Sequence, residues 1–333
     1  MKVMRIDDVV KRRLENDVMT ERDVMASFAE QPHLLIVSAL CTFRSANYLH
    51  WLMPFLSGGT LLQLVKRTAA SDDQGLPEPS ARFYAAQLGL ALDALHSRGI
   101  LYLDLKLENV LISASGDATL VDFGLAVQRV DLRTGQTVKR VGGTKSYLSP
   151  EAAAGQQVGA ATDWWALGVI TFEMLTGSAP FIAADKKALS VAICNCRVRF
   201  PQQSTASGEA RALVRRLLCK QPEARLCSSG GLAELQVQPF FRSVDWAALH
   251  AGELQPPFMP DLAHDADTRY FDSNYTSQPA RLSEGAGVAP DASALEGLLG
   301  FEYTSPFWGD SPRPVEAVGT VGTLHPSVYA ALP

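Results

Sequence analysis

The stretch Tyr102-Leu103-Asp104-Leu105-Lys106-Leu107-Glu108-Asn109 decides how this chain is read, because it does not stand alone. Asp122-Phe123-Gly124 follows it, then Ser149-Pro150-Glu151, then Asp163-Trp164-Trp165-Ala166-Leu167-Gly168. Any one of these short motifs occurs by chance. Together, in this order and spacing, they do not. Around them, Ile100 to Leu111 and Ala118 to Val121 are short apolar runs flanking polar residues, which predicts small strands around a polar loop. Upstream, Ala81 to Arg98 has the spacing of an amphipathic helix, with Gly99 in the place of a C-cap. Downstream, Ala161 to Thr176 is apolar on nearly every side and predicts a core helix.

Toward the N-terminus, Lys2 to Arg5 reads as the end of a strand. Asp7 to Phe28 carries Val10, Leu14, Val18, Val24, Met25 and Phe28 at helical spacing. Leu34 to Phe43 and Tyr48 to Leu56 predict two short strands joined by a polar turn, and Ser57-Gly58-Gly59 marks a boundary between lobes. Lys66 to Pro79 is polar and acidic, which predicts a solvated loop. After Phe241 regular periodicity fades, and Ser283 to Ala294, rich in Gly, Ala, Ser and Pro, predicts a flexible stretch.

Composition narrows the class. At 333 residues, 47% hydrophobic and 20% charged, the chain is an ordinary globular protein with one large domain or two modest lobes. A net charge of −5 gives no general reason to expect nucleic-acid binding. No apolar run reaches membrane-spanning length, and the N-terminus lacks the apolar core of a signal peptide. The five scattered cysteines, with Cys194 and Cys196 too close for a Cys-x-x-Cys pair, predict free thiols in a reducing compartment, cytoplasmic or nuclear.

The motif set resembles the catalytic loop, metal-binding motif and activation-segment end of protein kinases. Glu78-Pro79-Ser80-Ala81-Arg82-Phe83-Tyr84-Ala85-Ala86 and the tail motifs Phe240 to Trp246, Pro256-Pro257-Phe258, Phe271 to Tyr275 and Gly300-Phe301-Glu302-Tyr303 resemble the AGC group. Within it, the branch of protein kinase B, the serum/glucocorticoid-regulated kinases and the ribosomal-protein kinases looks nearest. The resemblance implies an α+β, bilobal kinase-like fold: a partial small lobe over 1–56, a mainly helical large lobe over 57–241, the AGC tail over 242–310 and a flexible terminus over 311–333. It implies a serine/threonine kinase using ATP and Mg²⁺ on protein substrates. Asp104 would accept the substrate hydroxyl's proton, Lys106 would neutralise a γ-phosphate oxygen, and Thr144 would bridge the two. Asn109 and Asp122 offer the hard oxygen donors that Mg²⁺ prefers. Lys2, oriented by Glu21, would hold the α- and β-phosphates. Met53, Pro54 and Leu56 would frame the adenine, Leu111 would form its apolar floor, and Phe271 would line the pocket from the tail. Glu108 and Glu173 would read basic residues in the substrate, Glu151 and Arg225 would form a structural ion pair, and the tail would dock on the small lobe.

Several positions depart from the family's pattern. Leu103 replaces an arginine that grips an activation-loop phosphate, and Arg140 stands where the phosphothreonine would be, so that switch is expected to be absent. Glu302 puts a permanent charge at the phosphoacceptor position of the terminal motif, and Leu298 replaces its first aromatic, which predicts a looser dock. Thr60 takes the place of an acid, which predicts a weakened preference for basic substrates. The first strands and the glycine-rich loop would precede Met1, and a small lobe without them is expected to have exposed sheet edges and weak ATP binding. A kinase-like scaffold and a shortened stretch of an active kinase are the alternatives.

Overall fold

The structure, a computed structural model, describes residues 1–72, 75–140, 142–279 and 295–307. The stretch Ser283 to Ala294 and the terminus 311–333 lie outside the described residues. Strand β1 (Lys2–Arg5) runs straight into helix α1 (Ile6–Arg12). Asp7 and Asp8 in the first turn of α1, and Lys11 and Arg12 in the last, match the helix dipole. Instead of one long helix from Asp7, the chain turns at Arg13, whose φ of 56° forms a left-handed cap bonded back to Val9 and Val10. Helix α2 (Glu15–Glu30) then starts afresh and buries Val18, Glu21, Val24, Met25 and Phe28 along one face.

Strands β2 (Cys41–Arg44) and β3 (Tyr48–Leu52) form an antiparallel hairpin, and β1 pairs with β3 so that Lys2 faces Trp51. The predicted strand from Leu34 is shorter than expected. Its first half leaves the sheet because Leu35 and Val37 give their backbone bonds to Leu120 instead, at 2.8 and 3.0 Å. Pro54, which lacks an N–H, lies just past the end of β3.

The remainder is mostly helical. Helix α3 (Leu61–Asp72) occupies much of the stretch expected to be a solvated loop. Leu61, Leu64 and Val65 bury one side of it, and Thr68 Oγ1 bonds back to the Leu64 carbonyl, so the helix runs on through polar residues that lie on its outer face. Helix α4 (Glu78–His96) is followed by Gly99 at φ 66°, where a Cβ would come within 2.7 Å of the Val130 carbonyl oxygen. A small hairpin, β4 (Val110–Ile112) with β5 (Ala118–Leu120), carries the polar loop before it and the Asp122 segment after it.

Next come α5 (Pro150–Ala153), α6 (Ala160–Thr176), α7 (Lys186–Asn195), α8 (Gly208–Leu217) and α9 (Leu232–Gln236). Helix α6 is buried along almost its whole length from Thr162 to Leu175, as its composition predicts. Glu151 and Arg225 meet in the core through two bonds of 2.7 and 2.9 Å. The tail contributes α10 (Trp246–Ala251), α11 (Ser273–Thr276) and β6 (Tyr303–Thr304), which returns to pair with β2 and completes a sheet in the order β1-β3-β2-β6. Among the described residues no helix is long and apolar enough to cross a membrane.

Candidate active site

The loop before β4 and the turn after β5 converge on a cluster of charged side chains. Asp104 is its hub. Lys106 Nζ donates to Asp104 Oδ2 at 2.8 Å, and Asn109 Nδ2 donates to the same oxygen at 2.9 Å and to the Asp104 carbonyl at 3.0 Å. Thr144 Oγ1 stands 3.5 Å from Asp104 Oδ1. One carboxylate oxygen is thus pinned by two donors, and the other is left with a single long contact. Asn109 spends its N–H groups on Asp104, so its side-chain carbonyl is the end left for a ligand.

The second cluster joins β1, α2 and the β5 turn. Lys2 Nζ lies 2.8 and 2.9 Å from the two Glu21 oxygens and 3.1 Å from Asp122 Oδ1. Burial alone would lower the Lys2 ammonium, but Glu21 and Asp122 outweigh it and hold the group above its ordinary range. Burial pushes the Glu21 carboxyl up, and the Lys2 ammonium opposes that push. Burial also acts against ionised Asp122, yet Lys2 and the Gly124 N–H bring its carboxyl below the usual value. Asp122 has a φ of 62°, in a region non-glycine residues seldom occupy, so its backbone is held there by the contacts around it.

Leu103 has the same φ of 62°, and the residue that holds it was not assigned a role from sequence. Asp163, at the start of α6 and 1% exposed, accepts the N–H groups of Tyr102 and Leu103 at 3.0 and 2.8 Å and faces His96 Nε2 at 2.8 Å. The available signal was an acid heading a helix that is apolar all round. Such an acid must be paired, here with the backbone of the polar loop.

The other predicted residues form two further groups. Met53 and Leu56 pack against the core beyond β3, and Pro54 is exposed between them. Gly58 and Gly59 tie this linker to Ile112 of β4 by bonds of 2.9 and 2.8 Å, which brings Leu111 beneath it. Phe271 reaches the same linker from the tail, stacking on Phe55 at 5.6 Å. Gly59 is required there, since at its φ of 77° a Cβ would run into the Tyr270 carbonyl oxygen.

Glu108 and Glu173 belong to a separate acidic group. Tyr147 donates to Glu173 Oε2 at 2.5 Å, and one Glu108 oxygen is enclosed without a partner. Burial is the chief cause that raises the Glu173 carboxyl to about 7, with Glu108 adding to it and the Tyr147 bond opposing.

Residues 1–241 match the family described as protein kinase domain. Ribosomal protein S6 kinase 2 alpha of Xenopus laevis is 35% identical over 304 residues, covering 91% of this chain and 39% of its own. Ribosomal protein S6 kinase alpha-3 of Homo sapiens is 33% identical over 326 residues, covering 97% of this chain and 41% of its own. Ribosomal protein S6 kinase alpha-1 of Homo sapiens is 34% identical over 303 residues, or 91% and 38%. The chain spans about two-fifths of the length of the curated relatives it matches.

Proposed function

The chain belongs to the protein kinase domain family, and on that premise we propose that it transfers the γ-phosphoryl group of ATP to serine or threonine hydroxyls of protein substrates, as an AGC-group kinase. The observation that carries this reading is the convergence of six polar side chains in two clusters, Asp104-Lys106-Asn109 and Lys2-Glu21-Asp122. Asp104 keeps Oδ1 for the acceptor hydroxyl and takes its proton as the new O–P bond forms and the bond to the ADP oxygen breaks. Lys106, already a donor to Asp104, is placed to neutralise charge on the transferred group. Lys2 binds the α- and β-phosphates and is fixed for that task by Glu21.

Among the described residues no cluster of three or more His, Cys, Asp or Glu could enclose a metal ion. Mg²⁺ binds through one or two protein oxygens and completes its shell with phosphates and water. The Asp122 carboxylate and the Asn109 carbonyl are suitable donors. Bound MgATP supplies the phosphoryl group and the charge neutralisation. Met53, Pro54, Leu56 and Leu111 would receive the adenine, with Phe271 closing the side next to Phe55.

Glu108 and Glu173 would read basic substrate residues, with a preference weakened because Thr60 stands in place of an acid; Glu173, already bonded to Tyr147 and raised to about 7 by burial, adds to that weakening. The tail's Leu298 and Phe301, both fully buried, support docking that needs no phosphate. The five free cysteines support a cytoplasmic or nuclear setting.

The test uses the purified chain. MgATP should raise its melting temperature, and Asp104→Asn should abolish transfer to a serine/threonine peptide while retaining the shift. Transfer that survives Asp104→Asn refutes the assignment. No shift and no transfer at saturating nucleotide would leave a kinase-like scaffold as the better reading.

A further inference from the structure

Helix α2 is linked to the segment that carries Asp122 at three points, one through Lys2 and two directly. Glu21 holds Lys2, which holds Asp122. The Thr20 carbonyl accepts Gln128 Nε2 at 3.0 Å. One turn before Glu21, Asp17 Oδ1 forms an ion pair with Arg140 Nη2 at 2.9 Å, and that same nitrogen donates to the Gly124 carbonyl at 3.2 Å. Asp17 and Glu21 are four residues apart and so project from one face of the helix. One carboxylate serves the phosphate-binding lysine, and the other serves the far end of the segment.

We propose that Asp17 and Arg140 are positioning residues: a fixed ion pair that locks the segment from Gly124 to Arg140 against α2 without any covalent modification. The single guanidinium closes the loop from Gly124 to Arg140 by reaching the carbonyl at its start, and it anchors both ends to the helix that holds Glu21. Both side chains are about three-quarters enclosed, at 24% and 23% exposure, so salt screens them less than a surface pair. An arginine cannot lose its charge in a protein, and neither partner waits for a kinase or phosphatase. The Arg140 Nε–H is enclosed without a partner, so the hold depends on Nη2 alone. The consequence for transfer rests on the kinase reading; the lock itself does not.

The test combines amide hydrogen exchange over 124–140 with kcat and KM for transfer in the full chain. Asp17→Asn and Arg140→Gln should each speed exchange about tenfold, an effect within the range of a coupled pair. Each should lower kcat more than the peptide KM. The double variant should be no worse than either single one, because both singles break the same link. Arg140→Lys should keep much of the protection, since one nitrogen makes both contacts. Additive effects in the double variant, or unchanged exchange in both singles, would overturn the proposal. If transfer does not exceed the Asp104→Asn blank, the kinase reading fails while the exchange data still decide the lock.

Discussion

Glu173 shows how an environment, rather than a residue type, sets a charge. Its carboxyl is raised to about 7 by burial first and by Glu108 next, against the Tyr147 hydrogen bond. Between the ordinary carboxylate value and about 7, the folded chain therefore binds this proton and the unfolded chain does not. Stability from this group is fully present below pH 4.5 and is lost as the pH rises through 7, by up to ~3 kcal/mol. Replacing the group by its neutral isostere should remove the slope. Chemical unfolding of wild type and Glu173→Gln from pH 5 to 8 should show the wild type losing ground steadily against the variant; parallel curves would contradict it. The identities of Asp104, Lys106, Asn109, Asp122, Lys2 and Glu21 were legible because type and order suffice to name them. The state of Glu173 and the bracing role of Asp163 were not, since both follow from what encloses them.

At the scale of elements, helix propensity and packing conflict within α6. Gly168 costs the helix about 1 kcal/mol relative to alanine. Yet a Cβ there would come within 2.7 Å of Leu217 Cβ on α8 and 3.0 Å of Leu218 Cδ2 just beyond it. A contact with another Cβ cannot be relieved by turning a flexible side-chain end, so the helices must part. Gly168→Ala should destabilise the chain by about 1–3 kcal/mol despite the propensity gain, measured by denaturant unfolding. An increase in stability would show that the helices part freely. Helices α4 and α6 were predictable because their apolar residues repeat over many turns. The end of α3 was hidden because polar residues dominate its outer face, and the break at Arg13 was hidden because no glycine or proline marks it.

For the molecule as a whole, the tail decides how the sheet ends. Phe301 is fully buried, edge-on to Trp51 of β3 at 4.9 Å, and its carbonyl accepts Thr42 Oγ1 of β2. Glu302, by contrast, is half exposed and 3.6 Å from Arg44. Apolar anchoring should therefore outweigh the charge. Phe301→Ala should cost about 3–5 kcal/mol and release β6, read as faster amide exchange of Ser305, whose N–H bonds the Leu40 carbonyl at 2.9 Å. Glu302→Gln should cost less than ~1 kcal/mol, the value of an exposed pair. Equal effects of the two substitutions would show that the charge, not the ring, holds the tail. By itself, the sequence determined the family and the inventory of chemical groups, because the family's motifs are particular side chains in a particular order, as in the loop from Asp104 to Asn109. Only the tertiary structure decided that Arg140 meets Asp17, that Glu173 keeps a proton near neutrality and that Leu298 is fully buried. Those outcomes depend on which surfaces meet between residues far apart along the chain, and local spacing carries no record of distance or burial.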